Sequence, residues 1–344
     1  NDAGTGNKLV LGGVVIADAN QPRTHTFAGS AAIDITGAVI DGPGTGADGL
    51  SYTGSSVLQL MAASSYTGIT TVNTPTGTLR TTSTGSIGTG AVAVVRGTLE
   101  LNNTAQTVGT LGFGSGTTSA QTTAATVLLS AGTTLTLTGT LTANDNINAQ
   151  ASFLTGGTID LNGARTWTVE NTADVDDDLT VSTSIINTVA GTFTKNGTGR
   201  LVLNSGSSFA DVFAIADGIV RIAHANALGT AAGGTTVNAG DVLEISGGIT
   251  VAGEGLLLNG TGIANTGGLR NVSGNNVWTG TIDLAGDARI QAESGTQLTV
   301  SAITAGGTSR DITFGGDGDH IASGRIGSGG TNPVDQIFKD GAGT

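Results

Sequence analysis

Apolar residues in this chain come in runs of two to four, separated by glycine, threonine, serine and asparagine. Leu9-Val-Leu11 and Val14-Val-Ile16 flank Gly12-Gly13, which predicts strand, turn, strand. The rhythm continues through Val57-Leu-Gln-Leu60, Ile69-Thr-Thr-Val72, Val92-Ala-Val-Val95, Thr98-Leu-Glu-Leu101, Leu201-Val-Leu203, Ile219-Val-Arg-Ile222, Val242-Leu-Glu-Ile245 and Leu298-Thr-Val300. In Thr133-Thr-Leu-Thr-Leu-Thr138 the alternation is strict, so Leu135 and Leu137 share one side of a strand and the threonines the other. Threonine is β-branched and suits the outer face of a pleated surface. No window keeps a 3.6-residue apolar period long enough to predict a helix.

The pattern repeats at long range. Phe193-Thr-Lys-Asn-Gly-Thr-Gly-Arg-Leu-Val-Leu203 returns as Ile337-Phe-Lys-Asp-Gly-Ala-Gly-Thr344, and in worn form as Leu50-Ser-Tyr-Thr-Gly-Ser-Ser56. Gly54, Gly197 and Gly341 then stand 143 and 144 residues apart. The combined offset of 287 also carries Phe27 to Phe314, Gly37 to Gly324, Val39 to Ile326 and Gly42 to Gly329 with no insertion. Shorter echoes, such as Gly157-Thr-Ile-Asp-Leu161 beside Gly280-Thr-Ile-Asp-Leu284, fall off the long period. A unit of one coil, with several coils to a module, accounts for both. The expected organisation is one continuous solenoid over 1–344: residues 1–54 close a module, 55–197 form the next, and 198–344 hold another and the start of its successor.

Composition narrows the architecture. Glycine is 58 of 344 residues, proline 4, aromatics 3% and charged residues 11%, yet 38% are apolar. So few charges argue against a self-repelling disordered chain, and so few aromatics argue against a large globular core. Tandem immunoglobulin-like sandwiches need a unit of roughly 100 residues with buried aromatic anchors; here the period is longer, and Trp167 and Trp278 are the only tryptophans. The reading is therefore all-β, a right-handed parallel β-helix (β-solenoid), whose coils need only a few apolar residues each. At about 20 residues per coil and about 4.8 Å per level, the expectation is on the order of 17 coils. Glycines at the turns, Gly54, Gly197 and Gly341 among them, serve corner geometry. Neither end resembles an amphipathic cap, so the open coils are expected to meet further repeats or other copies of the chain.

Charge and motif content narrow the function. The net charge is −13, and the three lysines (Lys8, Lys195, Lys339) form no basic stripe, which disfavours nucleic acid and anionic lipid as partners. No apolar run is long enough for a membrane-spanning helix. Residues 1–5 lack the features of a signal peptide. The absence of cysteine suits either a reducing compartment or a secreted bacterial chain.

Several motifs resemble the autotransporter-associated β-strand repeats, also called passenger-associated transport repeats, of giant surface proteins of Gram-negative bacteria. The family pattern is Lys-x-Gly-x-Gly-Thr-Leu-x-Leu, then Tyr-Thr-Gly-Gly-Thr-Thr-Val, Gly-Thr-Leu-Arg and Ala-Leu-Gly. Lys195-Asn-Gly-Thr-Gly-Arg-Leu-Val-Leu203, Tyr66-Thr-Gly-Ile-Thr-Thr-Val72, Gly77-Thr-Leu-Arg80 and Ala227-Leu-Gly229 stand in those places. Arg200 departs from the usual threonine, and Leu50–Ser56 has lost the lysine. The resemblance implies a secreted or surface-exposed β-helical stalk, fibre or adhesin segment, anchored to the outer membrane through a barrel that is not in this sequence.

Candidate chemistry is sparse, and no catalytic, cofactor or metal residue is assigned. Glycan-cleaving β-helices need two carboxylates about 5 to 10 Å apart. The acids Glu100, Glu170, Glu244, Glu254, Asp283 and Glu293 are scattered, and the matched places of Glu100 and Glu244 suggest a repeated, solvated strand position. His25, His224 and His320 fall at different repeat positions. Asp174-Val-Asp-Asp-Asp178 and Gly315-Gly-Asp-Gly-Asp319 could offer oxygens to calcium, although His320 interrupts the second. Trp167, Trp278, Tyr52 and Tyr66 could form a sugar platform for host or biofilm glycans, or fill core corners. The expectation is a non-enzymatic structural segment, with a polysaccharide-degrading β-helix enzyme or glycan-binding module as the alternative.

Overall fold

The structure is a computed structural model that describes residues 7–16, 21–44, 46–114, 123–144, 150–172, 176–327 and 334–344. Parallel strands stack in about 13 turns to form a β-solenoid. The one helical element among the described residues is a short 3-10 turn, Ile263–Asn265. The turns fall into two compact units, one of Asn1–Asn162 with Glu170–Ser184 and one of Gly163–Val169 with Ile185–Thr344.

In the first unit, one face is built from Thr24–Phe27, Gly49–Tyr52, the start of Thr70–Thr81, the start of Val92–Leu101, Leu111–Phe113 and Leu141–Ala143, each paired in parallel with the next. A second face carries Lys8–Leu11, Ala32–Ile35, Val57–Leu60 and the later halves of the two long strands. In the second unit, the corresponding stacks start from Arg165–Val169, Phe193–Asn196 and Phe213–Ile215 on one face, and from Arg200–Leu203, Ile219–Ile222 and Val242–Ile245 on the next. A third stack runs through Thr250–Val251, Asn275–Trp278, Gln297–Val300 and Asp319–Ala322.

Strands form here because alternate residues find a core. Val92–Leu101 and Leu179–Ile186 bury every second side chain over most of their length, and the interior is mostly valine, leucine and isoleucine. In the second unit Trp167, Phe193, Phe209 and Phe213 pack in a chain of ring contacts with centroids 4.7 to 6.2 Å apart. Buried amides hold the corners. Asn276 accepts the Ile249 N–H and donates to Asn271, which in turn donates to the Gln297 carbonyl of the following turn. Gln106 does similar work in the first unit, accepting the Ile87 N–H and donating to the Ile87 carbonyl. These groups satisfy backbone atoms that the strand ladders cannot reach.

Glycine is required where one turn presses on another. A β-carbon at Gly280 would overlap the Glu254 carbonyl oxygen, and one at Gly229 would overlap that of Phe209, with φ +85° at Gly229 besides. Gly197 and Gly341 also have positive φ, as a corner role predicts, but Gly54 does not. A side chain at Gly54 would instead meet Gly29 O at 2.8 Å and the Tyr52 ring.

Two sequence expectations need correction. There are about 13 turns rather than 17, because coils are longer than 20 residues wherever a corner bulges. Paired residues lie 20 apart at Leu50 and Thr70 but 30 apart at Leu111 and Leu141. For the same reason, the two later copies of the long repeat do not share a face. Within the second unit Phe193–Asn196 lies on the first stack, whereas Ile337, Phe338 and Lys339 pair with Ile312, Thr313 and Phe314 on the second.

Candidate functional site

The second unit places one lysine inside its core. Lys195 has the same strand parity as Phe193 and points inward, between Trp167 on one level and Ile215 on the next. Its side chain is fully buried. The turn that follows, Asn196-Gly-Thr-Gly199, folds its carbonyls back toward the ammonium. Nζ donates to Gly197 O, to Gly199 O at 2.6 Å and to Asp217 O of the next turn at 2.8 Å. Three donors therefore meet three acceptors, the full capacity of an ammonium group. Gly218 leaves room for this, since a β-carbon there would lie 2.7 Å from Nζ.

Asp241, one level further on, accepts the Gly218 N–H at 2.9 Å. Burial pushes its carboxyl above the ordinary range, and Asp217 adds to this, while the Gly218 bond and the Lys195 charge work the other way. The first unit handles its corresponding turn with neutral groups. Tyr52 stands at the lysine position of the repeat and is buried, and the Thr74 hydroxyl donates to Gly54 O and accepts the Gly77 N–H.

The outer side of the adjoining face carries a charge ladder. Arg221, Glu244 and Arg270 stack directly on successive levels, and Arg200 reaches the same carboxylate from two levels away. The nitrogens of Arg200, Arg221 and Arg270 lie 3.1, 2.9 and 3.4 Å from Glu244. Glu244 is 1% exposed, so the expectation of a solvated carboxylate fails there. Three guanidinium groups roof it over. Arg270 also binds Glu293 at 2.7 Å. Burial works to raise the Glu293 carboxyl, but hydrogen bonds from Gln291 and Arg270 outweigh it, and the group titrates below its usual range. In the first unit the stacked pair is Arg80 and Glu100, at 2.7 Å.

Of the remaining candidate acids, Glu254 is buried and accepts the Thr235 hydroxyl at 2.8 Å; burial raises its carboxyl. It borders a cavity of about 270 Å³ with Ser207, Asn226 and Thr230. Asp283 accepts from Thr304 at 2.9 Å, and Glu170 enters only through its backbone, donating to Ala143 O. The structure thus brings Glu244 and Glu293 to one arginine and leaves the other acids apart.

The histidines are not brought together either. His25 is exposed on the strand Thr24–Phe27, and His224 accepts the Asn226 N–H. His320 donates to Gly315 O at 2.9 Å and packs on Phe314, where burial lowers its pKa. The acids considered for calcium bind backbone instead. Asp317 and Asp319 accept the Ala342 and Thr344 N–H groups, and Asp178 accepts that of Thr172. Asp174 lies outside the described residues. Among the described residues no three His, Cys, Asp or Glu side chains are grouped to hold a metal ion.

Trp167, Trp278, Tyr52 and Tyr66 are each at most 1% exposed, so these rings fill core corners rather than a sugar platform. The Tyr66 hydroxyl bonds Thr70 at 2.6 Å, and burial pushes its pKa to about 12. The feature that sequence reasoning missed is the burial of Lys195. Its inward parity with Phe193 and the two glycines just after it were the available signals.

Comparison with protein-family models, with curated proteins and with solved structures found no match.

Proposed function

We propose that this chain is a structural repeat segment of a secreted or cell-surface bacterial fibre or adhesin stalk, of the autotransporter-associated β-strand repeat kind. The observation that carries this reading is that the buried groups are completed by neighbouring turns. Lys195 needs a carbonyl from the next level, Glu244 needs arginines from three other levels, and Asn271 needs the Gln297 carbonyl. A molecule whose interior is finished only by stacking gains stability with each level added. Its side chains are spent on coherence along the stack. The open edges of such a segment pair with further repeats or with other copies.

A polysaccharide-cleaving role has less support. The two candidate carboxylates that meet, Glu244 and Glu293, are both held by guanidinium hydrogen bonds, and Glu293 titrates low. A general acid needs the opposite shift. Electron microscopy of the purified protein tests the structural reading. Slender particles of constant width are expected, and compact globular particles would overturn it. A glycan array and a cleavage assay on acidic and neutral polysaccharides, both expected to be blank, test the alternative.

A further inference from the structure

The lysine cage occurs twice in the sequence and is finished once in the structure. Lys339-Asp-Gly-Ala-Gly343 repeats Lys195-Asn-Gly-Thr-Gly199, and Gly341 has the positive φ of Gly197, +74° against +83°. Lys339 Nζ already donates to two carbonyls of its own turn, Asp340 O at 2.7 Å and Gly341 O at 3.4 Å. The third acceptor, which Asp217 of the following level supplies to Lys195, has no counterpart over Lys339. The residue in the place of fully buried Phe193 is Ile337, here 56% exposed. The edge is also held in shape: Arg289 forms a two-pronged ion pair with Asp340, both bonds 2.7 Å. Beside it lies a recess of about 180 Å³ lined by Phe314, His320, Ala322, Lys339 and Thr344. It is apolar on one wall and carries the ammonium on its rim.

We propose that the open edge of the strand Val334–Lys339 is a docking surface for a coil of this same repeat, one that offers a backbone carbonyl at the place of Asp217 and glycine at the place of Gly218. The proposal deepens the stacked-segment reading and rests on it. The occupant is chosen by what covers the matching residues elsewhere in the chain: Phe213–Ile215 pairs over Phe193–Lys195, and the Asp217-Gly218 corner closes the cage. The edge is continuous with the face formed by Arg310–Gly315, whose ladder it extends by one level. An unrelated strand could satisfy the backbone ladder. Only a corner with glycine at that position admits the ammonium.

The test uses the full chain and its three lysines. A copy of residues 201–237 is added after Thr344, in the phase of the repeat. Amine acetylation is then followed residue by residue by mass spectrometry, with hydrogen exchange measured on the added segment. Lys195 serves as the buried reference and Lys8 as the accessible one. The extension is expected to slow acetylation of Lys339 at least tenfold, while Gly218→Leu in the added copy leaves Lys339 reactive. If the added segment is protected from exchange yet Lys339 stays reactive, or if Gly218→Leu protects equally well, the cage proposal is overturned and stacking survives. An added segment that exchanges freely overturns both. Protection of Lys339 in the unextended chain as its concentration rises assigns the surface to a second copy, which also overturns the proposal.

Discussion

Replacing Lys195 by methionine isolates the contribution of the buried ammonium, because the volume is nearly kept and the charge is lost. The acceptors are backbone carbonyls and cannot be removed along with it. This sets the case apart from buried ion pairs, where exchanging both partners for apolar groups is often harmless. Gly199 O keeps the Ile219 N–H as a second partner at 3.3 Å. Gly197 O and Asp217 O take their side-chain hydrogen bonds from Nζ. A hydrogen bond to a charged group contributes about 1.5–3 kcal/mol net of solvent exchange, so two such losses amount to about 3–6 kcal/mol.

A single melting temperature is the wrong readout, since a stack of turns opens locally. Hydrogen exchange across 213–222 is the right one, through the Ala216, Gly218 and Ile219 amides, which donate to Lys195 O, Asp241 and Gly199 O. At about 1.4 kcal/mol per tenfold, exchange there should accelerate between roughly a hundredfold and ten-thousandfold, while amides of Val92–Leu101 in the first unit stay unchanged. Exchange across 213–222 within threefold of the parent protein would refute the reasoning: the carbonyls would then be satisfied without the lysine.

Three further outcomes are expected. Glu244→Leu should cost about 3–5 kcal/mol, because three arginines lose a carboxylate that is 1% exposed; denaturant unfolding of the second unit measures it, and a neutral result would mean that the guanidinium groups are already solvated. Gly280→Ala should raise exchange around Glu254 and Gly280 and lower the unfolding midpoint, since its β-carbon would overlap the Glu254 carbonyl; overpacking of this kind costs about 1–3 kcal/mol. The pH response should differ along the second unit. Glu254 and Asp241 are raised from 4.5 and 3.8 by burial, so their contribution to stability is complete below those values and is lost as pH rises through the folded pKa. Asp319, held low by its hydrogen bonds from Thr344, and Asp340, held low by Arg289, contribute above 3.8 and lose that contribution as pH falls through their folded pKa. Exchange measured between pH 3 and pH 7 should therefore slow around 241–256 on acidification and quicken at 334–344. Equal slopes in the two segments would contradict the assignment.

The strands were legible because two forces agree at each of them: β-branched residues favour the extended backbone, and alternation gives one side to the core. Leu135 and Leu137 are buried, as their alternation with threonine implied. Coil length was not legible. Apolar triplets mark where strands lie but not how much chain a corner takes up, and the 30-residue step from Leu111 to Leu141 looks in sequence like any other run of Thr, Ser and Ala. A long repeat of 144 residues then need not contain a whole number of turns. This is why Ile337 stacks on a different face from Phe193, although the two lie in matching sequence.

Charged residues defeated the reading for a related reason. Surface exposure is the sound default for a lone Lys or Glu, and that default uses one strand at a time. In a stack, the surroundings of a side chain are set by residues 20 to 30 positions away in both directions. Lys195 lies between Trp167 and Ile215, and Glu244 lies between Arg221 and Arg270. The inward parity of Lys195 could be counted, but its meaning came from Gly197, Gly199 and Gly218. Two of these glycines present carbonyls, and the third withholds a β-carbon. A buried charge that needs partners from the next level has a further effect on the fold. Any slip in register between those levels would strand the ammonium among apolar side chains, a cost larger than the loss of a few methylene contacts. Val, Leu and Ile can exchange places along a narrow core with little penalty, so apolar packing alone specifies register weakly. The polar groups inside this stack, Lys195, Asn271, Asn276 and Glu244, cannot exchange places in that way, and they fix which turn lies on which.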